Sequence, residues 1–313
     1  MKKVTLALIL VFFLSGCASK PYGTSDPQDA IEQCAELSGI REKVRQYKKD
    51  ASESGQSIEQ TMAPKFDRDG HISATVVIAR IAGLSPERQY ALSYYSNYPD
   101  IDSTYIAWKV SVYNTFLPWN WSWLCESNDT LHALHGGNDD EIKERREKLT
   151  SALKYTLQSD KFDWISGILM HALADTFAHT KQGYSTENEE AYGCYWGHVW
   201  DNLNGNNPDK IALKIITKEK FKEYIKLLFK ILSEEGGGTS NGEEFLEKIK
   251  TELDRMECNK NNCIDFHEAM VNVKLIDHDS LKKYEKCMNS QSRQIAKSEM
   301  QNVMDYIKQG RAN

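Results

Sequence analysis

Three ionisable residues interrupt a long apolar run. Residues 167–180 read Gly-Ile-Leu-Met-His-Ala-Leu-Ala-Asp-Thr-Phe-Ala-His-Thr, which sets His171, Asp175 and His179 four residues apart. Steps of four on a helix place side chains along one stripe, so two imidazoles and a carboxylate share a face. The neighbours Ile168, Leu169, Leu173 and Phe177 are apolar, which embeds that helix. Such groups are costly to bury unless they are hydrogen-bonded or hold a metal, and they are natural ligands of zinc and related divalent ions. A lone histidine on an apolar helix is more often a core side chain satisfied by one hydrogen bond. What accompanies the triplet decides between these two readings.

Of eight histidines, six lie between positions 71 and 198. His71 follows Asp67-Arg68-Asp69-Gly70, His132 and His135 stand in Leu-His-Ala-Leu-His-Gly-Gly, and His198 stands in Tyr-Trp-Gly-His-Val-Trp-Asp. Acids sit nearby at Asp100, Asp102, Asp201 and Asp209. Several imidazoles plus a bridging carboxylate suit a centre of two or three metal ions, about 3.5–4 Å apart, that activates water and clamps phosphoryl oxygens. An acid among Asp69, Asp100 and Asp102 could serve as general base, and either His132 or His135 could be the ligand of its segment. His267 and His278 lie in polar turns and read as solvated.

The elements that must position these groups are helical. The triplet belongs to a helix predicted over 160–181. The segment 72–83 is rich in β-branched residues, but its length and alanine spacing favour a buried helix ending at Gly83 over a strand. Ser85-Pro86-Glu87 is a helix start, and the helix it opens is expected to reach Asn97. Aromatic residues crowd 98–123, read as core rather than as the wall of a cleft. A polar helix over 29–54, a charged helix over 139–157, a Gly- and Asn-rich excursion over 183–208 and a lysine-rich amphipathic helix over 211–232 follow in the pattern. Beyond the glycines of 234–242 come helices over 243–256 and 279–308. Few alternating strand patterns occur, so the expected class is all-α, a multi-helix bundle with a C-terminal helical extension.

Composition narrows the partners. The net charge of −6 carries no basic signature for a stable nucleic-acid complex. Lys2 and Lys3 precede a short apolar run, Val4 to Leu14, with the layout of an export signal and too few residues to span a bilayer. Seven cysteines less Cys17 leave six, an even number that permits three disulfides after export. Cys258 and Cys263 are the nearest pair in sequence, and the other pairings stay open.

Leu14-Ser15-Gly16-Cys17 resembles a bacterial lipoprotein signal. The resemblance implies cleavage before Cys17, acylation of that cysteine and a membrane tether. Ala18 in the next position points to the outer membrane. The expected organisation is a signal over 1–16, a tether over 17–28, a helical domain over 29–232 and an extension over 243–313.

The ordered set His71, Asp100, His132, His171-x3-Asp175-x3-His179 and His198 resembles the zinc-dependent phospholipase C and single-strand nuclease superfamily. The short gap from Asp175 to His179 is closer to the branch of glycosylphosphatidylinositol-specific phospholipase D and its bacterial relatives. So are Gly70-His71 through Leu84-Ser85 and Tyr94 through Asp100. The similarity covers about residues 66–212. It implies an all-α fold and two to three zinc ions. His171 and Asp175 would share one with Asp100 and His132, His179 and His198 would hold a second, and Asp175 would bridge toward a third with His71. Asp100 and Asp175 would be the catalytic carboxylates, and the substrate a phosphodiester such as a phospholipid. One departure is Asn202, standing where the family carries an acid. Asp201 or Asp209 substitutes for it, or the second site is weakened. The other is Cys17, whose acylation removes the N-terminal amine that classical members use as a ligand. The rival reading is a non-catalytic envelope lipoprotein of the same fold, acting as a binding or immunity-type partner.

Overall fold

The computed structural model describes residues 67–102, 104–107, 121–194, 197, 208–256, 258–259, 262–263, 266–276 and 295–309. The export signal, Cys17, the tether, the 29–54 helix, His198, Asp201 and most of the aromatic stretch fall outside them.

Helix α5 (Asp163–Ala178) is the axis of the molecule. Of its sixteen residues only Ile165 is not buried, as expected of a helix whose apolar residues run all the way round. Helices α2 (Pro86–Ile101), α4 (Asp139–Leu157), α6 (Ile215–Gly236) and α3 (Trp121–Leu131) pack around it. Helix α1 (Ala74–Ile81) lies against α2 and α6, preceded by a π-helical turn over Asp67–Ser73. Helices α7 (Gly242–Arg255), α8 (Phe266–Asn272) and α9 (Lys297–Gln309) complete the bundle. Their Leu246, Ile249, Phe266, Met270, Met300 and Val303 join the same core cluster as Ile78, Leu173 and Phe221. The fold is all-α. Among the described residues, four two-residue strands form two small antiparallel pairs, β1 (Thr180–Lys181) with β2 (Glu190–Ala191) and β3 (Cys258–Asn259) with β4 (Asn262–Cys263). The second pair sets Cys258 opposite Cys263 in register.

Local signals place the helix ends. Ser85 caps α2 by accepting from the Arg88 amide, with Pro86 in the first turn. Asn138 and Glu141 form a reciprocal capping box at the start of α4. Gly83, at φ +88°, stops α1 where a side chain would strain the turn. Two boundaries differ from expectation. Helix α2 passes Asn97 and runs through Pro99 to Ile101, which puts Asp100 on a helix rather than in a loop. Helix α5 stops at Ala178, so His179 is its C-cap residue and not a third member of a continuous helical stripe.

Candidate metal centre

Helices α2 and α5 meet unusually closely. A Cβ built on Gly167 would stand 2.5 Å from Tyr95 Cβ and 2.8 Å from Leu92 O, so only glycine allows this approach. The contact brings the Ser96 carbonyl to His171, whose Nδ1–H donates to it at 2.7 Å. Two further imidazoles are fixed in the same way. His132 follows the end of α3 and its Nε2–H donates to Tyr105 O at 2.8 Å. His179 donates from Nδ1–H to His132 O at 2.7 Å. A carbonyl oxygen can only accept, so each bond fixes a tautomer and leaves the other nitrogen as a lone pair in the neutral ring.

Those lone pairs converge on carboxylates. His171 Nε2 and His132 Nδ1 stand 3.1 Å apart, and both face Asp175 Oδ2, at 3.3 and 3.4 Å. The other oxygen of Asp175, Oδ1, lies 3.2 Å from His71 Nε2. Asp100 closes the group, with Oδ1 3.7 Å from His132 Nδ1 and Oδ2 3.6 Å from His71 Nε2. The rings of His71 and His171 stack with centroids 4.0 Å apart. His179 Nε2 faces Asp209 Oδ1 at 3.1 Å. No side chain in this group is more than 8 % exposed.

Electrostatics sharpen the picture. Burial pushes the His132 imidazole below its usual pKa, and burial together with the neighbouring His71 pushes His171 down to about 4. Both rings are therefore neutral near pH 7, and no proton is available between the two facing nitrogens. Burial opposes ionisation of Asp175, but His179 and His171 outweigh it and hold the carboxyl well below its ordinary range. His179 is the exception among the imidazoles. Burial disfavours its cation, yet Asp175 and Asp209 raise it to about 10.

Two lone pairs 3.1 Å apart repel each other, and Asp175 Oδ2 beside them is a buried oxygen with no hydrogen bond. A metal ion is the remedy this donor set fits. Two overlapping groups, His71–His171–Asp175 and Asp100–His132–His171, each bring their ligand atoms within 4.8 Å of one another.

The structure thus brings together six of the candidate residues, His71, Asp100, His132, His171, Asp175 and His179. Between the two histidines of the 132–135 segment it selects His132. His135 turns away, its Nδ1–H donating to Ala133 O of its own loop at 3.0 Å. Among the candidate acids, Asp102 is already committed. It accepts from Tyr98 OH at 2.7 Å and from the Thr104 amide at 2.8 Å. Asp209 faces His179 from the far side of the 183–208 excursion. The start of that excursion is pinned by the Cys125–Cys194 disulfide and by bonds from Gly136 N to Tyr192 O, Ala191 N to Gly137 O and Tyr192 N to His179 O. The supporting carbonyls of Ser96, Tyr105 and His132 were not legible, because a backbone oxygen leaves no mark in residue type.

No protein family, curated protein or solved structure matches this chain. Among the described residues no helix is long and apolar enough to cross a membrane.

Proposed function

We propose that the chain is a zinc-dependent phosphodiester hydrolase tethered to a bacterial envelope membrane through an acylated Cys17. One observation carries this reading: neutral His132 and His171 aim lone pairs at each other and at Asp175 Oδ2, 3.1–3.4 Å apart. Tetrahedral zinc with ligand bonds of about 2.0–2.2 Å spaces neighbouring donors roughly 3.3–3.6 Å apart. Mixed imidazole and carboxylate donors also favour zinc over calcium or magnesium.

His132, His171, Asp175 and Asp100 would hold one ion. Asp175 offers its second oxygen toward His71, the arrangement a bridging carboxylate needs. His179 and Asp209 would hold another with His198, so that Asp209 takes the role that Asn202 cannot fill. Zinc, when bound, supplies Lewis acidity toward phosphoryl oxygens and lowers the pKa of water. The protein's own part is positioning. Ser96, Tyr105 and His132 lock three imidazoles through their carbonyls, an outer shell that holds ligand orientation. Asp100, the most exposed carboxylate of the group, is placed to accept a proton. The tether favours a phospholipid head group as substrate, and the net negative charge disfavours a long polyanionic strand.

Metal content of protein purified without chelators tests the reading, alongside hydrolysis of bis(4-nitrophenyl) phosphate. Two or more zinc ions per chain and turnover that drops by about 10³-fold in Asp175→Ala are expected. Zero or one ion, with no turnover when zinc is supplied, would leave the non-catalytic binding role in its place.

A further inference from the structure

Immediately beyond His179 lies a second polar feature that the candidate centre does not use. A cavity of about 350 Å³ opens between the segment after α5 and the start of α6. Ala178 and Thr180, which flank His179, line it, as does Pro208, which precedes Asp209. The cavity wall therefore includes the chain neighbours of two proposed ligands, His179 and Asp209.

Its charge is lopsided. Lys181, Lys214 and Lys220 all line it. Lys220 is only 5 % exposed, and its ammonium donates to Thr180 O and to Thr180 Oγ1, both at 2.7 Å. Those acceptors are neutral. The nearby Glu189 is already engaged by Arg146, with contacts of 2.8 and 3.1 Å, and by Thr180 Oγ1 and the Ser185 amide. A buried ammonium without an ionic partner is unfavourable. Burial lowers the Lys220 pKa to about 8 despite the pull of Glu189. Lys181 pairs with the exposed Glu190 at 3.0 Å, and Lys214 stands at the exposed entrance. Beside that entrance the start of α6 exposes Ile215, at 79 %, and Ile216, which lines the cavity.

We propose that this cavity is an anion subsite adjoining the metal centre, with Lys220 on its inner wall and Lys181 and Lys214 at its mouth, and that it takes a phosphate group. On the hydrolase reading, on which the substrate assignment rests, that group belongs to a phosphoester carrying a second anionic phosphate besides the one cleaved. Low-dielectric walls lined by one sign of charge concentrate such an anion. The phosphate could be that of a soluble ester or of a lipid head group, with exposed Ile215 and Ile216 suited to touching acyl chains in the second case.

The test is calorimetric titration of inorganic phosphate into the full chain and into Lys220→Met, which keeps the apolar stem. Each is measured as purified and again with 1,10-phenanthroline. Affinity about tenfold weaker or worse in Lys220→Met under both conditions is expected. Lys214→Ala, at an exposed position outside the packed wall, should weaken binding by roughly two- to fivefold even if Lys220→Met folds poorly. Phosphate binding that vanishes with chelator and is indifferent to both lysines overturns the subsite while leaving the metal reading intact. Lysine-dependent binding in a protein that hydrolyses no diester has the reverse meaning: the subsite stands and the hydrolase falls. Sedimentation with phosphatidylcholine vesicles containing phosphatidic acid separates the sources. Lys220- and Ile215-dependent capture identifies a lipid phosphate, and lysine dependence confined to free phosphate identifies a soluble ester. Lysine dependence in neither arm overturns the proposal.

Discussion

Adjacent residues of α5, Asp175 and Thr176, face two different buried polar clusters, and the clusters solve the same problem in opposite ways. On the Thr176 side, Arg146 donates from Nε to Thr176 Oγ1 at 3.3 Å and from Nη2 to Thr176 O at 2.6 Å. Its fork meets Glu189 bidentately, and its guanidinium lies over Phe177 and Tyr184, 4.3 and 4.8 Å from the ring centroids. Each of the three guanidinium nitrogens finds an acceptor, and Glu189 supplies the counter-charge. On the Asp175 side, three carboxylates face four imidazoles, two of which are held neutral, and acceptor faces acceptor at the centre. Burial alone does not distinguish a functional site from a structural one, since both clusters are buried. The distinction lies in whether the protein supplies its own counter-charges. The Arg146 cluster does, and the histidine cluster instead offers a donor set that could hold a cation.

The largest expected effect tests the self-sufficient cluster. Glu189→Ala leaves Arg146 buried without a counter-charge and should destabilise the fold by about 3–5 kcal/mol. Urea unfolding should show the same loss with and without chelator, because the Arg146–Glu189 pair balances its charge without a metal. A loss that appears only in metal-loaded protein would erase the contrast between the two sides of α5.

A smaller effect is expected at the edge of the other cluster. Asp209→Asn should weaken metal binding by about 10–100-fold and remove one ion from the stoichiometry. In chelated protein it should also lower the His179 pKa from about 10. A folded-state pKa raised above the unfolded value contributes stability that is complete below about 6.5 and lost as the pH rises through about 10. The variant's deficit in chelated protein should therefore be full near pH 6 and close toward pH 10. A deficit independent of pH would mean that Asp209 supports the loop rather than the imidazole.

The smallest effect separates the two faces of one turn. Thr176→Val removes the hydroxyl that accepts from Arg146 and donates to Leu173 O, and should cost about 0.5–1.5 kcal/mol in thermal unfolding while leaving metal content unchanged. Any loss of metal would show that the clusters communicate through α5.

Much of the site was legible because ligand chemistry demands particular residue types at particular spacings. His171 and Asp175 lie four apart on one helix, and that separation alone predicts their meeting, which the structure realises at 3.3 Å. The central helix itself was legible from its apolar run. His179 was placed correctly by neighbourhood but for an incomplete reason. It leaves the helix as the C-cap and swings its Nδ1–H onto His132 O, a partner forty-seven residues earlier in the chain. The extension of α2 through Pro99 was missed because proline usually signals an end, and here packing against α5 outweighs that preference.

By itself, then, the amino-acid sequence determined which groups this protein can bring to chemistry: an all-α scaffold built on one buried helix and a stock of imidazoles and carboxylates ordered along the chain. It also placed a glycine, Gly167, where two helices must touch. Only the tertiary structure decided which nitrogen of each imidazole faces inward, that His132 and not His135 enters the cluster, and that Asp209 faces His179. Spacing along a chain constrains neighbours on one helix, and it is silent about carbonyls and side chains delivered from another. The tautomers and the facing lone pairs depend on those distant partners, and they are what turn a row of candidate ligands into a donor set that could hold a cation.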